Sequence, residues 1–204
     1  MPAGLSNVTA VAAGLNHDLA LRSDGTVVAW GENINHQTNV PAGLSDVTAI
    51  SAGGGFCLAL KRDGTVVGWG LNGPDHVTVP AGLSGVIAIS AGFGHSLALK
   101  RDGTIVGWGE NEFGQASPPT GLSDVTAIAA GEFFSVALKR DGTVVAWGDD
   151  LSNESDVPAG LSGVTAIAAS NGFALARKSD GTVVGWGRGG IGKPTPPAGL
   201  ITRP

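Results

Sequence analysis

Short runs of apolar and small residues recur along this chain and are broken by turn residues. In the stretch 86–92, Val86-Ile87-Ala88-Ile89-Ser90-Ala91-Gly92 predicts a first strand, because β-branched and small side chains suit a pleated surface. A tight connection, Phe93-Gly94-His95, leads to a second strand at Ser96-Leu97-Ala98-Leu99-Lys100. Arg101-Asp102-Gly103 predicts a hairpin turn, with Asp102 capping it and Gly103 free to take positive φ. A third strand, Thr104-Ile105-Val106-Gly107-Trp108, stops at Gly109. Apolar and polar residues do not alternate cleanly here, so both faces of the sheet are expected to be covered. The residues after Trp-Gly leave room for an outer fourth strand. No segment carries an apolar stripe of helical period, so a helical solenoid is excluded.

This pattern returns every 39 residues. Trp30, Trp69, Trp108, Trp147 and Trp186 each close the phrase Asp-Gly-Thr-(Val/Ile)-Val-(Ala/Gly)-Trp-Gly. A second phrase, Pro-Ala-Gly-Leu with one Thr substitution, starts at Pro2, Pro41, Pro80, Pro119, Pro158 and Pro197. A fixed period without insertions means one supersecondary unit copied in tandem. The units run 2–40, 41–79, 80–118, 119–157 and 158–196 within a single domain, 1–204, and 197–204 is a partial sixth linker. Three short strands are not stable alone, so each unit must stack on its neighbours. Radial stacking gives an all-β fold, a β-propeller of five blades with three to four short antiparallel strands each. Sealing a ring removes exposed sheet edges, so a closed five-bladed ring is expected; an open arc or a ring completed by another chain are the alternatives. The five tryptophans, each ending a strand before an invariant glycine, are expected to be equivalent core anchors between blades.

Antiparallel geometry sorts the loops. The first connection of each unit and the start of the segment after Trp-Gly lie at one end, and the Asp-Gly hairpin lies at the other. Sequence varies at the first end, from Leu15-Asn16-His17 to Glu132-Phe133-Phe134, while the hairpin end is nearly constant. Positions that stay fixed between copies serve the blade, and positions that diverge are free or functional. The variable end also gathers acids, including Asp18, Glu32, Asp75, Glu110, Glu112, Glu132, Asp149, Asp150, Glu154 and Asp156, against Arg188 and Lys193. Such a field would steer a basic partner to that face. The third and fourth units combine this charge with loop aromatics. Phe93, Phe113 and Phe133, surrounded by Glu110, Glu112, Glu132, Asp149 and Asp150, are therefore the candidate binding residues.

Composition narrows the chemistry. With 34 glycines, 42% hydrophobic and 14% charged residues, the chain reads as a turn-dense, packed β protein. A net charge of −5 and no basic stripe argue against nucleic acid. No 18-residue apolar run spans a membrane, and no leader is visible after Met1, so a cytoplasmic setting is the default expectation. Cys57, the one cysteine, reads as a small buried hydrophobe. His17 and His95 share a repeat position with Phe56, Phe134 and Phe173, which cannot bind metal, so they are expected to be buried, hydrogen-bonded structural residues. The acidic run from Asp149 to Asp156 lacks the spacing of a calcium loop and reads as surface. No catalytic grouping, cofactor motif or metal set stands out, so no enzyme activity, cofactor or metal is expected.

Ala-Gly-Phe-Gly-His-Ser-Leu-Ala-Leu-Lys at 91–100 and Asp-Gly-Thr-Ile-Val-Gly-Trp-Gly-Glu-Asn-Glu-Phe-Gly-Gln at 102–115 resemble the regulator-of-chromosome-condensation repeat. The short unit with its Val-Pro-Ala linker is most similar to the compact blades of the propeller-type β-lactamase inhibitor proteins. The resemblance covers the whole chain and implies a propeller of typically seven blades, in which the histidine is structural. In the inhibitor branch an aromatic in the first connection makes much of the contact. The matching positions here are Asn16, Gly55, Gly94, Phe133 and Gly172, so only Phe133 keeps one. That loss argues against tight lactamase binding. The leading expectation is a non-enzymatic module whose variable acidic face takes a protein or peptide with a basic patch. A structural spacer with drifted loops and a β-lactamase-inhibitor-like protein are the alternatives.

Overall fold

β-Branched and small residues set three strands per unit in the computed structural model, which describes residues 2–71, 73 and 75–188. The first unit holds β1 (Val8–Ala13), β2 (His17–Arg22) and β3 (Val27–Gly31). The second holds β4 (Val47–Ala52), β5 (Phe56–Lys61) and β6 (Val66–Gly70), and the third β7 (Val86–Ala91), β8 (His95–Lys100) and β9 (Ile105–Gly109). The fourth holds β10 (Val125–Ala130), β11 (Phe134–Lys139) and β12 (Val144–Gly148). The fifth holds β13 (Val164–Ser170), β14 (Phe173–Lys178) and β15 (Val183–Gly187). Each unit is a separate antiparallel sheet in chain order, inner to outer. A bulge follows the first residue of every inner strand, as between Val86 and Ala88. The middle and outer strands pair without interruption, Ser96 opposite Trp108.

The hairpins explain why Asp-Gly-Thr never varies. Asp102 Oδ1 accepts from Thr104 N at 3.0 Å and from its hydroxyl at 2.6 Å. Those bonds, with one from Lys100, hold the Asp102 carboxyl down to about 2. The Trp-Gly pair is fixed by a different constraint. Gly109 has φ 93°, and a Cβ there would stand 2.6 Å from the Gly94 carbonyl oxygen. Gly109→Ala is therefore expected to lower stability by about 1–3 kcal/mol in urea unfolding. A variant as stable as the parent would contradict this reading of the glycine.

No fourth strand forms among the described residues. The segment after Gly109 closes into turns instead, with Gly114 N donating to Asn111 O and Ser117 N to Gly114 O. Asn111 Oδ1 takes the Ala116 N–H and Gln115 Oε1 takes the Phe113 N–H. Such local side-chain bonds offer the backbone an alternative to a sheet ladder.

The core lies between sheets. On each middle strand, alternate residues point to the following and the preceding unit. Phe56, Leu58 and Leu60 thus pack against Val86, Ala98 and Trp108 of the next unit, and equivalent clusters fill the other junctions. Backbone bonds tie the inner ends of successive sheets, from Leu15 N to Gly53 O, Gly54 N to Gly92 O, Phe93 N to Gly131 O and Glu132 N to Asn171 O. Trp69, Trp108, Trp147 and Trp186 are 6–7% exposed. Their indole N–H groups donate across the junction to Gln37, His76, Gln115 and Glu154 carbonyls at 2.9–3.1 Å. Trp30 is only half-buried, so the five are not equivalent. Its preceding neighbour would be a unit before the first. The closed ring expected from the sequence needs a fifth junction, from the fifth sheet to the first; the described clusters and interblade bonds supply four.

Candidate binding face

The meander brings the residue after each Trp-Gly back onto the first connection. Glu32 N donates to Asn16 O, Leu71 N to Gly55 O, Glu110 N to Gly94 O, Asp149 N to Phe133 O and Arg188 N to Gly172 O, all at 2.8–3.0 Å. The two variable segments therefore share one end of each blade.

On this face the three phenylalanines meet. Phe93 and Phe133 have ring centroids 5.9 Å apart, and Phe113 and Phe133 5.5 Å apart, both pairs tilted. Tilted contacts at this distance suit the ring quadrupoles. Phe93 and Phe113 are each 42% exposed, while Phe133 between them is half-buried. Beside this patch the cavity at the inner strand ends, about 320 Å³, is bordered by Leu15, Gly54, Phe93, Glu132 and Asn171, one from each unit.

The acids divide. Glu112 and Asp150 are exposed, and Glu110 and Glu132 are half-buried. Glu110 Oε1 lies 3.5 Å from Nε2 of the buried His76. Asp149 is turned inward, 8% exposed, and its Oδ1 accepts from Leu151 N at 3.1 Å. Glu154, read as surface from the sequence, is 2% exposed; its Oε2 takes the Ser152 N–H and its Oε1 lies 3.9 Å from Arg188 Nε. The open negative rim is thus narrower than the sequence suggested. Burying these carboxylates is tolerable because backbone N–H groups satisfy them.

Glu154 belongs to a repeated position that sequence reasoning missed. Gln37, His76, Gln115 and Glu154, each seven residues after a tryptophan, are all buried. Their carbonyls take the next unit's indole, and at three of them a hydroxyl or thiol as well: Cys57 at Gln37, Ser96 at His76 and Ser135 at Gln115. The signal was a long polar side chain on the 39-residue period, hidden among loops that otherwise differ.

The shared histidine position is also a junction. His17 Nε2 meets Cys57 Sγ at 3.1 Å, and His95 Nε2 meets Ser135 Oγ at 2.9 Å. Burial lowers the pKa of His17, and it lowers that of His95 to about 4, with His76 adding to the effect. Burial lowers His76 too, against the pull of Glu110. Burial pushes the Cys57 thiol up to about 12, which leaves it unreactive. Among the described residues no three His, Cys, Asp or Glu side chains are grouped to hold a metal ion, and no helix is long and apolar enough to cross a membrane.

Similarity to known structures follows the sheets. Prp20p from Saccharomyces cerevisiae, described with its binding properties to Gsp1p and histones, superposes with a TM-score of 0.74 at 20% identity, over 89% of this chain and 57% of that one. The ectodomain of the Physcomitrella patens receptor kinase CR4 gives 0.82 at 26% identity, over 98% and 59%. That of the Arabidopsis thaliana receptor kinase ACR4 gives 0.73 at 24%, over 93% and 69%. The chain thus spans under two thirds of the length of the first two. No curated protein matches it in sequence. The Regulator of chromosome condensation (RCC1) repeat pattern matches residues 8–37, 47–73, 86–115, 125–154 and 164–190, and the chain belongs to this repeat family.

Proposed function

We propose that the chain is a non-enzymatic binding module whose contact surface is the Phe93–Phe113–Phe133 patch with its acidic surroundings. The observation that carries this reading is the aromatic cluster itself. Two rings 42% exposed lean on a third at the variable end of the blades, although no interblade core requires them there. Rigid aromatic anchors within a polar rim give a modest patch its affinity. Glu110, Glu112, Glu132 and Asp150 favour a protein or peptide carrying lysine or arginine, mainly by speeding encounter. Cations also sit well over exposed phenyl faces. Prp20p, with its binding to Gsp1p and histones, is a precedent for protein binding on this scaffold, and its partners are not carried over at 20% identity.

The test is selection from a random peptide display library on the immobilised chain. Selected peptides are expected to be rich in lysine or arginine beside apolar residues. Phe133→Ala should weaken them at least about tenfold, a loss of roughly 1.4 kcal/mol. Added salt should weaken them further, since exposed charges are screened beyond about 8 Å at physiological ionic strength. A Phe133→Ala protein that melts and binds like the parent would overturn the assignment. Failure to select any peptide would favour the spacer reading.

A further inference from the structure

We propose that the outward faces of the first and fifth sheets dock on one another between two copies of this chain, repeating the interblade junction. Val47, Val86, Val125 and Val164 seat each sheet on the unit before it and are 4–5% exposed; Val8, at the same position of the first sheet, is 38% exposed. Val11 is 73% exposed, where Ile50, Ile89, Ile128 and Ile167 are half-buried. Trp30 is half-buried, and its indole has no junction carbonyl among the described residues. At the other end, Leu19, Leu58, Leu97 and Val136 are fully covered by the unit after them, while their counterpart Leu175 is 37% exposed.

The two faces are the halves of one interface. The fifth sheet offers the positions by which four other sheets hold their followers, and the first sheet offers those by which four others are seated. The occupant that fits is a second copy of this chain, because its opposite face already makes this junction four times internally. Contact is head-to-tail, so it closes into a small ring if the rotation allows and otherwise runs into longer assemblies.

Two charged departures weaken this junction relative to the internal ones. Asp18 stands where the later sheets have Cys57, Ser96, Ser135 and Ala174, and Arg177 stands where the earlier ones have Leu21, Leu60, Leu99 and Leu138. In the register of the His17–Cys57 and His95–Ser135 pairs, Asp18 would lie against Phe173 of the other copy. Desolvating that carboxylate without a partner costs affinity.

Sedimentation equilibrium and native mass measurement of the full 204-residue chain test the proposal. The parent is expected to associate reversibly with concentration, and Asp18→Ser to associate at least tenfold more tightly. Val11→Arg and Leu175→Arg, both at exposed positions, should each be folded and monomeric. An equimolar mixture of those two should form a dimer and nothing larger, because one intact junction remains between an unmodified first face and an unmodified fifth face. A parent that stays monomeric at every concentration overturns the proposal. So does either arginine variant associating alone, which would mean like faces pair, or a mixture that stays monomeric.

Discussion

Replacing Trp108 by alanine is expected to cost about 3–5 kcal/mol, the range for deleting a large buried aromatic. The indole is 7% exposed and closes a cluster with Phe56, Leu58, Leu60, Val66, Val86 and Ala98 of two sheets. Its N–H also bonds to the His76 carbonyl at 3.0 Å. Removing it leaves a cavity in a junction, so urea unfolding should report a midpoint shift at nearly constant slope. Trp69→Ala and Trp147→Ala should cost similar amounts, and Trp30→Ala clearly less, since Trp30 is half-buried. A loss below about 1 kcal/mol at Trp108 would contradict its role as a junction anchor.

Acid should destabilise the fold well above the carboxylate range, and His95→Phe should remove much of that sensitivity. The folded pKa of His95 is about 4, against 6.5 for a free histidine. Below pH 6.5 the unfolded chain gains a proton that the folded chain refuses, so stability present above 6.5 is lost as pH falls towards 4. At 1.36 kcal/mol per pKa unit this amounts to about 3 kcal/mol for His95. His17 adds in the same direction. Phenylalanine fits the site, because Phe56 and Phe134 fill it in neighbouring units at 0–1% exposure. Ser135 would keep its bond to the Gln115 carbonyl at 2.8 Å. Urea unfolding at pH 7 and pH 4.5 measures the difference. The parent should lose markedly more stability than His95→Phe between the two, and equal losses would contradict the argument.

The strands and hairpins were legible in the sequence because the repeat supplies five independent copies of each signal. A valine at one position says little, but Val8, Val47, Val86, Val125 and Val164 on one period define an inner strand. That no fourth strand forms among the described residues was harder to read. Asn111 and Gln115 spend their side-chain oxygens on nearby N–H groups, and such turn bonding leaves no hydrophobic period. Burial of Gln37, Gln115 and Glu154 was likewise invisible, because sequence ranks these types as surface residues while the junction uses their carbonyls. At the candidate site, the placement of Phe93, Phe113 and Phe133 at one end of the blades followed from loop sorting, though not the contact between their rings. The inward turn of Asp149 did not, since it depends on one backbone bond to Leu151. The inequality of the tryptophans arises from the place of each unit in the series, Trp30 lying in the first and being half-buried, which identical repeats cannot encode.

The proposed function has partners taken at the Phe93–Phe113–Phe133 end of the blades. Hydrogen exchange of the chain with and without a selected basic peptide tests it most directly. Protection should rise at residues 93–95, 110–116 and 132–134, around the three rings. The hairpins at 62–65, 101–104 and 140–143 should exchange unchanged. Protection confined to those hairpins, with the phenylalanine segments unaffected, would contradict the claim.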